Sequence, residues 1–168
     1  PGNKFAVPYL WGTMGIGYRK SAGPRPVSWA DVFESDAFAG RIALLDDPRA
    51  MIGMALKYLG HSMNSTDAAE IAAARDVIIA AKPRIKTFAP DSGQDMLLAG
   101  DVDLAVEWSG DIVQVMAEDA DLDYVIPREG GGVWMDTVAI PKGAPHPENA
   151  HAFINHLYDP AVNAEIAS

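Results

Sequence analysis

The sequence predicts an α/β layered fold with a largely parallel central sheet and helices on both faces. Three observations predict it. Short apolar runs of strand length alternate with helix-patterned segments along the whole chain. Most helical segments open on a recognisable cap and close on glycine or proline. At 168 residues the chain suits one well-buried domain and is short for two of ordinary size.

The elements follow in order. Residues 5–18, rich in aromatics and glycines, read as extended, with Pro8 and Gly12 marking bends. Ser28 is a good N-cap for a short helix through Trp29-Ala30-Asp31-Val32-Phe33. Arg41-Ile42-Ala43-Leu44-Leu45 is a buried strand running into Asp46-Asp47-Pro48, where Asp47 caps and Pro48 takes the first helical position. That helix carries Met51, Met54, Ala55 and Tyr58 on one face and stops at Gly60. Asp67-Ala68-Ala69-Glu70 resembles a capping box and starts a long alanine-rich helix ending before Pro83. A strand over 85–88, a helix over 92–98 closed by Gly100, and a strand over 103–108 come next. A helix over 110–118, strands over 124–126 and 133–140, and helices from Pro147 and Pro160 complete the reading.

Composition excludes several classes of function. The formal net charge is −10 and the pI near 4.6, which argues against nucleic acid or an anionic membrane as partner. An acidic field favours cationic ligands, although solubility explains it equally. Without cysteine there is no disulfide, thiol nucleophile or thiolate metal site. No apolar run approaches the ~20 residues that span a bilayer. The chain opens on Pro1-Gly2-Asn3-Lys4 and stops at Ala167-Ser168 inside a helical pattern, as expected of an excised product.

Two tryptophan–aspartate pairs stand where strand meets loop: Trp108 with Asp111, and Trp134 with Asp136. Residues two apart in a strand share a face, so Trp134 and Asp136 present an indole beside a carboxylate. The indole attracts a cation by roughly 0.5–2 kcal/mol, and the carboxylate adds a charge-assisted hydrogen bond to an ammonium. Such pairs suit an organic amine. In open α/β sheets ligands bind beyond the carboxyl ends of strands, where Asp47, Trp108 and Asp111 fall. Each also has an ordinary structural role available. Asp47 caps a helix, Asp111 favours the positive end of a helix dipole behind a Ser109 cap, and Trp108 can be core. Trp134 follows Gly130-Gly131-Gly132, a run that lets a chain segment or ligand approach closely. Glu107 alternates to the face opposite Trp108 and is left out of the site.

Enzyme signatures are thin. His61, His146, His151 and His156 have no metal-ligand spacing, and neither a G-x-S-x-G elbow nor a P-loop lysine occurs. Gly12-Thr13-Met14-Gly15-Ile16-Gly17 lacks dinucleotide-binding spacing. Asp111 and Asp136 as an acid–base pair remain the enzymatic alternative. No metal or cofactor is expected.

Several blocks carry a family resemblance. Phe5-Ala6-Val7-Pro8-Tyr9-Leu10-Trp11-Gly12-Thr13, Ser28-Trp29-Ala30-Asp31-Val32, Leu45-Asp46-Asp47-Pro48 and Ala55-Leu56-Lys57-Tyr58-Leu59-Gly60 resemble successive blocks of the spermidine/putrescine-binding proteins. So do Glu107-Trp108-Ser109-Gly110-Asp111, residues 130–136, Ala139-Ile140-Pro141 and Phe153-Ile154-Asn155-His156-Leu157-Tyr158. The resemblance implies a periplasmic-binding-protein-like (type II) fold and the soluble, periplasmic component of a polyamine ABC importer, with a membrane permease as partner. It implies that positions matching Asp47, Trp134 and Asp136 hold ammonium groups and methylenes, that Trp108 stacks on the ligand, and that Asp111 matches a carboxylate of putrescine-type members. Ala50 stands where members often carry glutamate, which leaves another amine, such as an ω-amino acid, open. A sensor module of the same bilobal fold is a third reading. The resemblance makes the chain mainly a second lobe, with hinge segments at about 5–18 and 133–141 and the first lobe absent, and an uncovered hinge predicts a homodimer.

Overall fold

The computed structural model describes residues 4–167, so the chain-end readings at residues 1–3 and 168 lie outside it. The elements are β1 (Val7–Arg19), α1 (Ala30–Phe33), β2 (Ile42–Leu45), α2 (Pro48–Tyr58), α3 (Ala68–Ala81), β3 (Ile85–Ala89), α4 (Gly93–Leu98) and β4 (Leu104–Trp108). Then come α5 (Ser109–Glu118), β5 (Leu122–Val125), β6 (Gly132–Val138), α6 (Pro147–Leu157) and α7 (Pro160–Ala167). The chain divides into two compact units. One is Thr13–Val133; the other joins the segment ending at Gly12 to the segment beginning at Trp134.

Capping chemistry sets the helix starts in the larger unit. Asp47 accepts the Ala50 N–H at 3.0 Å, with Pro48 at the first position of α2. Asp67 accepts the Ala69 and Glu70 N–H groups at 2.8 and 3.1 Å. The expected capping box forms only in that half. Glu70 accepts instead from the Ser65 hydroxyl at 2.5 Å and lies 3.2 Å from His61 Nδ1. At α1 the N-cap falls on Trp29, which makes no side-chain cap bond. Ser28, the expected cap, stands one residue earlier and accepts the Ala30 N–H at 3.1 Å, while Asp31 accepts the Val27 and Ser28 N–H groups at 2.8 and 3.0 Å.

The sheet order is β3-β2-β4-β1-β5, with β6 pairing β1. β2 runs parallel to β3 and β4, whereas β1 is antiparallel to β4 and β5. The sheet is therefore mixed. The parallel expectation holds for β3-β2-β4 and stops at β1, because a strand from the start of the chain is inserted between β4 and β5. The crossover through α5 would otherwise have made those two parallel neighbours.

Alternation along the strands builds two cores. Leu104 and Val106 of β4, with Met14, Ile16 and Tyr18 of β1, pack with Trp29, Phe33, Met51, Met54 and Leu56. Ala105 faces the other way, into a cluster with Leu97, Ile112, Val115 and Leu122. Helices thus cover both faces, as predicted. Full burial of each such aliphatic side chain contributes roughly 1.5–3 kcal/mol. On that second face β1 offers glycine: a Cβ on Gly17 would come within 2.5 Å of Ile112 and 3.0 Å of Leu97. In the smaller unit the Tyr158 hydroxyl donates to the Pro8 carbonyl, and Trp11, Met135 and Phe153 are exposed. Among the described residues no helix is long and apolar enough to cross a membrane.

The glycine run before Trp134 now has a cause. A Cβ on Gly131 would lie 2.2 Å from the Met14 carbonyl oxygen, so the close approach is that of β1. Gly131→Ala should therefore destabilise the protein by ~1–3 kcal/mol, in the range of overpacking. A Cβ on Gly110, inside α5, meets nothing within 4 Å. Gly110→Ala should stabilise by about 0.4–1 kcal/mol. Urea unfolding of both variants checks the contrast, and equal midpoints would contradict it.

Candidate functional site

In the larger unit the candidates gather at one end of the parallel strands. β2 and β4 are hydrogen-bonded parallel neighbours, so the cap of α2, Asp47, and the last residue of β4, Trp108, leave the sheet at the same end. The cap bond to Ala50 uses Oδ1 of Asp47 and leaves its second carboxylate oxygen outside that bond. Trp108 is half-buried and packs beside the first core, which leaves part of its indole toward solvent.

The start of α5 differs from expectation. Ser109 is already helical and caps nothing: its Oγ accepts the Thr13 N–H at 3.1 Å, tying β1 to the start of α5. Asp111 lies in the first turn, and burial first, then the charges of Asp91 and Asp95, push its carboxyl above the ordinary aspartate range.

Glu107 was excluded by strand alternation, and it does face away from Trp108. It is nevertheless fully buried, at 0% exposure. Its carboxylate accepts the Gly93 N–H at 3.2 Å and the Trp108 N–H at 3.3 Å. Oxygens of Asp91, Glu107 and Asp111 all lie within 4.8 Å of one another. Among the described residues this is the one set of acidic side chains grouped closely enough to surround a cation. Asp91 comes from the turn after β3 with a left-handed φ of 50°, which a short polar residue tolerates. Alternation gave the correct face for Glu107 and missed its neighbour, because α5 folds back over that face and carries Asp111 with it. The available signal was Gly93: a Cβ there would sit 2.7 Å from Glu107 Oε2.

In the smaller unit Trp134 and Asp136 share one face of β6, the indole half-buried and the carboxylate exposed, with Val133 and Met135 on the other face. The structure thus brings Asp47, Trp108 and Asp111 to one unit and Trp134 with Asp136 to the other.

Residues 2–168 match the model of the bacterial extracellular solute-binding proteins. The chain belongs to that family. It is 37% identical over 169 residues to the spermidine/putrescine-binding periplasmic protein of Escherichia coli (strain K12), covering 99% of this chain and 48% of that protein. It is likewise 37% identical over 183 residues to the putrescine-binding periplasmic protein SpuD of Pseudomonas aeruginosa (strain UCBPP-PA14), covering 99% of this chain and 50% of the other. Among solved structures, the Tp0655 (TpPotD) lipoprotein of Treponema pallidum superimposes with a TM-score of 0.89 at 32% identity, over 98% of this chain and 53% of that one. The fold is therefore periplasmic-binding-protein-like (type II), and the chain spans about half the length of the curated relatives it matches.

Burial foremost, reinforced by Asp91 and Asp111 and opposed by the Trp108 and Gly93 N–H groups, pushes the Glu107 carboxyl from 4.5 up to about 7. Its sign for stability follows. Between those values the folded state binds the extra proton, so stability falls as pH rises from 4.5 through about 7 and is flat above. The loss from this group is about 3 kcal/mol at most. Glu107→Gln should flatten the decline, as measured by urea unfolding from acidic to mildly alkaline pH. Parallel pH profiles for variant and wild type would refute the assignment.

Proposed function

We propose that the chain is the amine-recognising part of a polyamine-binding protein, and that the whole protein delivers a linear diamine or triamine to the permease of an ABC importer outside the cytoplasm. The observation that carries this is that Asp47, the half-buried Trp108 and Asp111 all stand at the carboxyl end of the parallel neighbours β2 and β4. Relatives over the whole chain, named for spermidine and putrescine binding, support it. In the smaller unit Trp134 and Asp136 offer the same two chemistries, an indole for methylenes and a carboxylate for an ammonium. Ala50, in place of an acid, withholds one carboxylate from α2, consistent with a ligand of few charges. Nothing in the described geometry favours turnover by Asp111 and Asp136, and no catalysis is assigned.

If recognition rests on these carboxylates, Asp136→Asn should weaken putrescine binding in the intact protein by ~1.5–3 kcal/mol, the range for hydrogen bonds to charged groups. Trp134→Ala should lose affinity with less dependence on salt, since stacking is screened less than charge. Calorimetry of both variants at low and high salt checks this, and unchanged affinity for Asp136→Asn would end the claim.

We also propose that the half-length chain, taken by itself, associates. Phe5 and Trp11 are 77% and 71% exposed, and such apolar surface invites a second copy. One lobe covers one side of a polyamine, and exposed ion pairs contribute only ~0–1 kcal/mol each. Affinity of the isolated chain should then be no tighter than about millimolar, ~4 kcal/mol. Light scattering at micromolar concentration should find a dimer. A monomer with micromolar putrescine affinity would show that this chain is a complete receptor.

A further inference from the structure

Glu107 has no direct part in holding an ammonium, because it lies on the sheet face opposite Trp108 and is sealed from solvent. Its position is nevertheless built. α4 begins on Gly93, whose missing side chain makes room for Oε2 and whose N–H donates to it. Oε1 accepts the N–H of Trp108, the residue at which β4 becomes α5. A change in the charge of Glu107 therefore acts on the backbone that carries both Trp108 and Asp111.

The groups facing Glu107 are of one sign. The turn before α4 contributes Asp91, and α5 contributes Asp111, with Asp95 of α4 acting on Asp111. From β1 the residue opposite is Gly15, and the neighbouring β2 contributes apolar Ala43 to this face. On β5 the Tyr124 hydroxyl is engaged with Thr13 Oγ1 at 3.0 Å. Among the described residues, the charges acting on Glu107 are those of Asp91 and Asp111, both acidic. Three acid groups this close cannot all ionise cheaply, and a proton or a cation relieves the repulsion.

We propose that Glu107 is a buried positioning residue that couples binding of a cationic amine at Asp111 to partial release of its proton. This rests on the binding reading above. The balance is simple: the ammonium charge arrives beside Asp111, the Glu107 proton leaves to solvent, and the acid group's extra negative charge is matched by the ammonium, so their net charge is unchanged. An opposite charge within ~4–6 Å lowers a carboxyl's pKa by about 1–3. Acting through Asp111, the amine should produce the small end of that range. Putrescine affinity should then rise about five- to tenfold from pH ~5.5 to pH ~8, although the amine is fully charged throughout.

Side-chain carboxyl 13C NMR of the protein, titrated with pH in the absence and presence of millimolar putrescine, tests it. One glutamate should titrate near neutrality without putrescine, shift its midpoint downward with it, and vanish from the Glu107→Gln spectrum. That variant should bind putrescine with an affinity flat across the same pH window. Should the glutamine variant fail to fold, assignment of the wild-type Cγ–Cδ correlation preserves the measurement. Saturable putrescine shifts elsewhere with an unmoved Glu107 midpoint would overturn the coupling alone. If no signal responds to putrescine, the binding reading falls and the coupling with it.

Discussion

Between β4 and β5 the sheet admits β1, a strand running against both, and the helices above must close over it. Every local feature near the candidate site answers to that insertion. Gly17 lets Ile112 of α5 and Leu97 of α4 approach the sheet, where any Cβ would collide. Ser109, in the usual place for a cap, spends its hydroxyl on the Thr13 N–H and so fixes α5 to β1. Because α5 is held down, its first turn lies over the second face of β4, and Asp111 meets Glu107. A chain that crossed directly from β4 to β5 would need neither the glycines nor the serine contact.

Much of this fold was legible because its signals are local. Asp47-Pro48 announces α2 by a cap that forms as expected, and Asp67 does the same for α3. Apolar runs of four or five residues found β2 and β4 because buried strands need them on both faces. Strand direction was not legible. Whether neighbouring strands run parallel depends on which distant segment is inserted between them, and β1 carries no local mark of its partners. The reciprocal half of the Asp67 capping box failed for a similar reason: Glu70 found Ser65 and His61 in the preceding loop, a competition that spacing does not encode.

The candidate site was read from signals of the same kind. Tryptophan–aspartate pairs at strand ends and family blocks in order nominated Asp47, Trp108, Asp111, Trp134 and Asp136. Alternation then removed Glu107, correctly by face and wrongly by neighbourhood. A period of two records which side of a sheet a residue takes, while the helix that covers that side is a matter of tertiary packing. The glycine run before Trp134 illustrates the converse. It promised close approach by a chain segment or a ligand, and at Gly131 the segment is β1, through the Met14 carbonyl.

Gathering the buried Glu107 and the half-buried Asp111 beside the exposed Asp91 works against folding, since negative charge nearby raises the cost of a desolvated carboxylate. The protein offsets part of it. Two backbone N–H groups point at Glu107, and Asp111 occupies the first turn of α5, where the helix dipole favours negative charge. These are fixed dipoles, each weaker than a full counter-charge, and among the described residues nothing basic completes them. The remaining imbalance is the kind of strain that persists at a binding site, because an incoming cation relieves it and gains affinity in doing so. A lysine placed there would stabilise the empty protein and remove that gain. On the proposed reading, the lack of a basic partner for Glu107 among the described residues and the affinity of an amine for this end of the sheet are two consequences of one electrostatic arrangement.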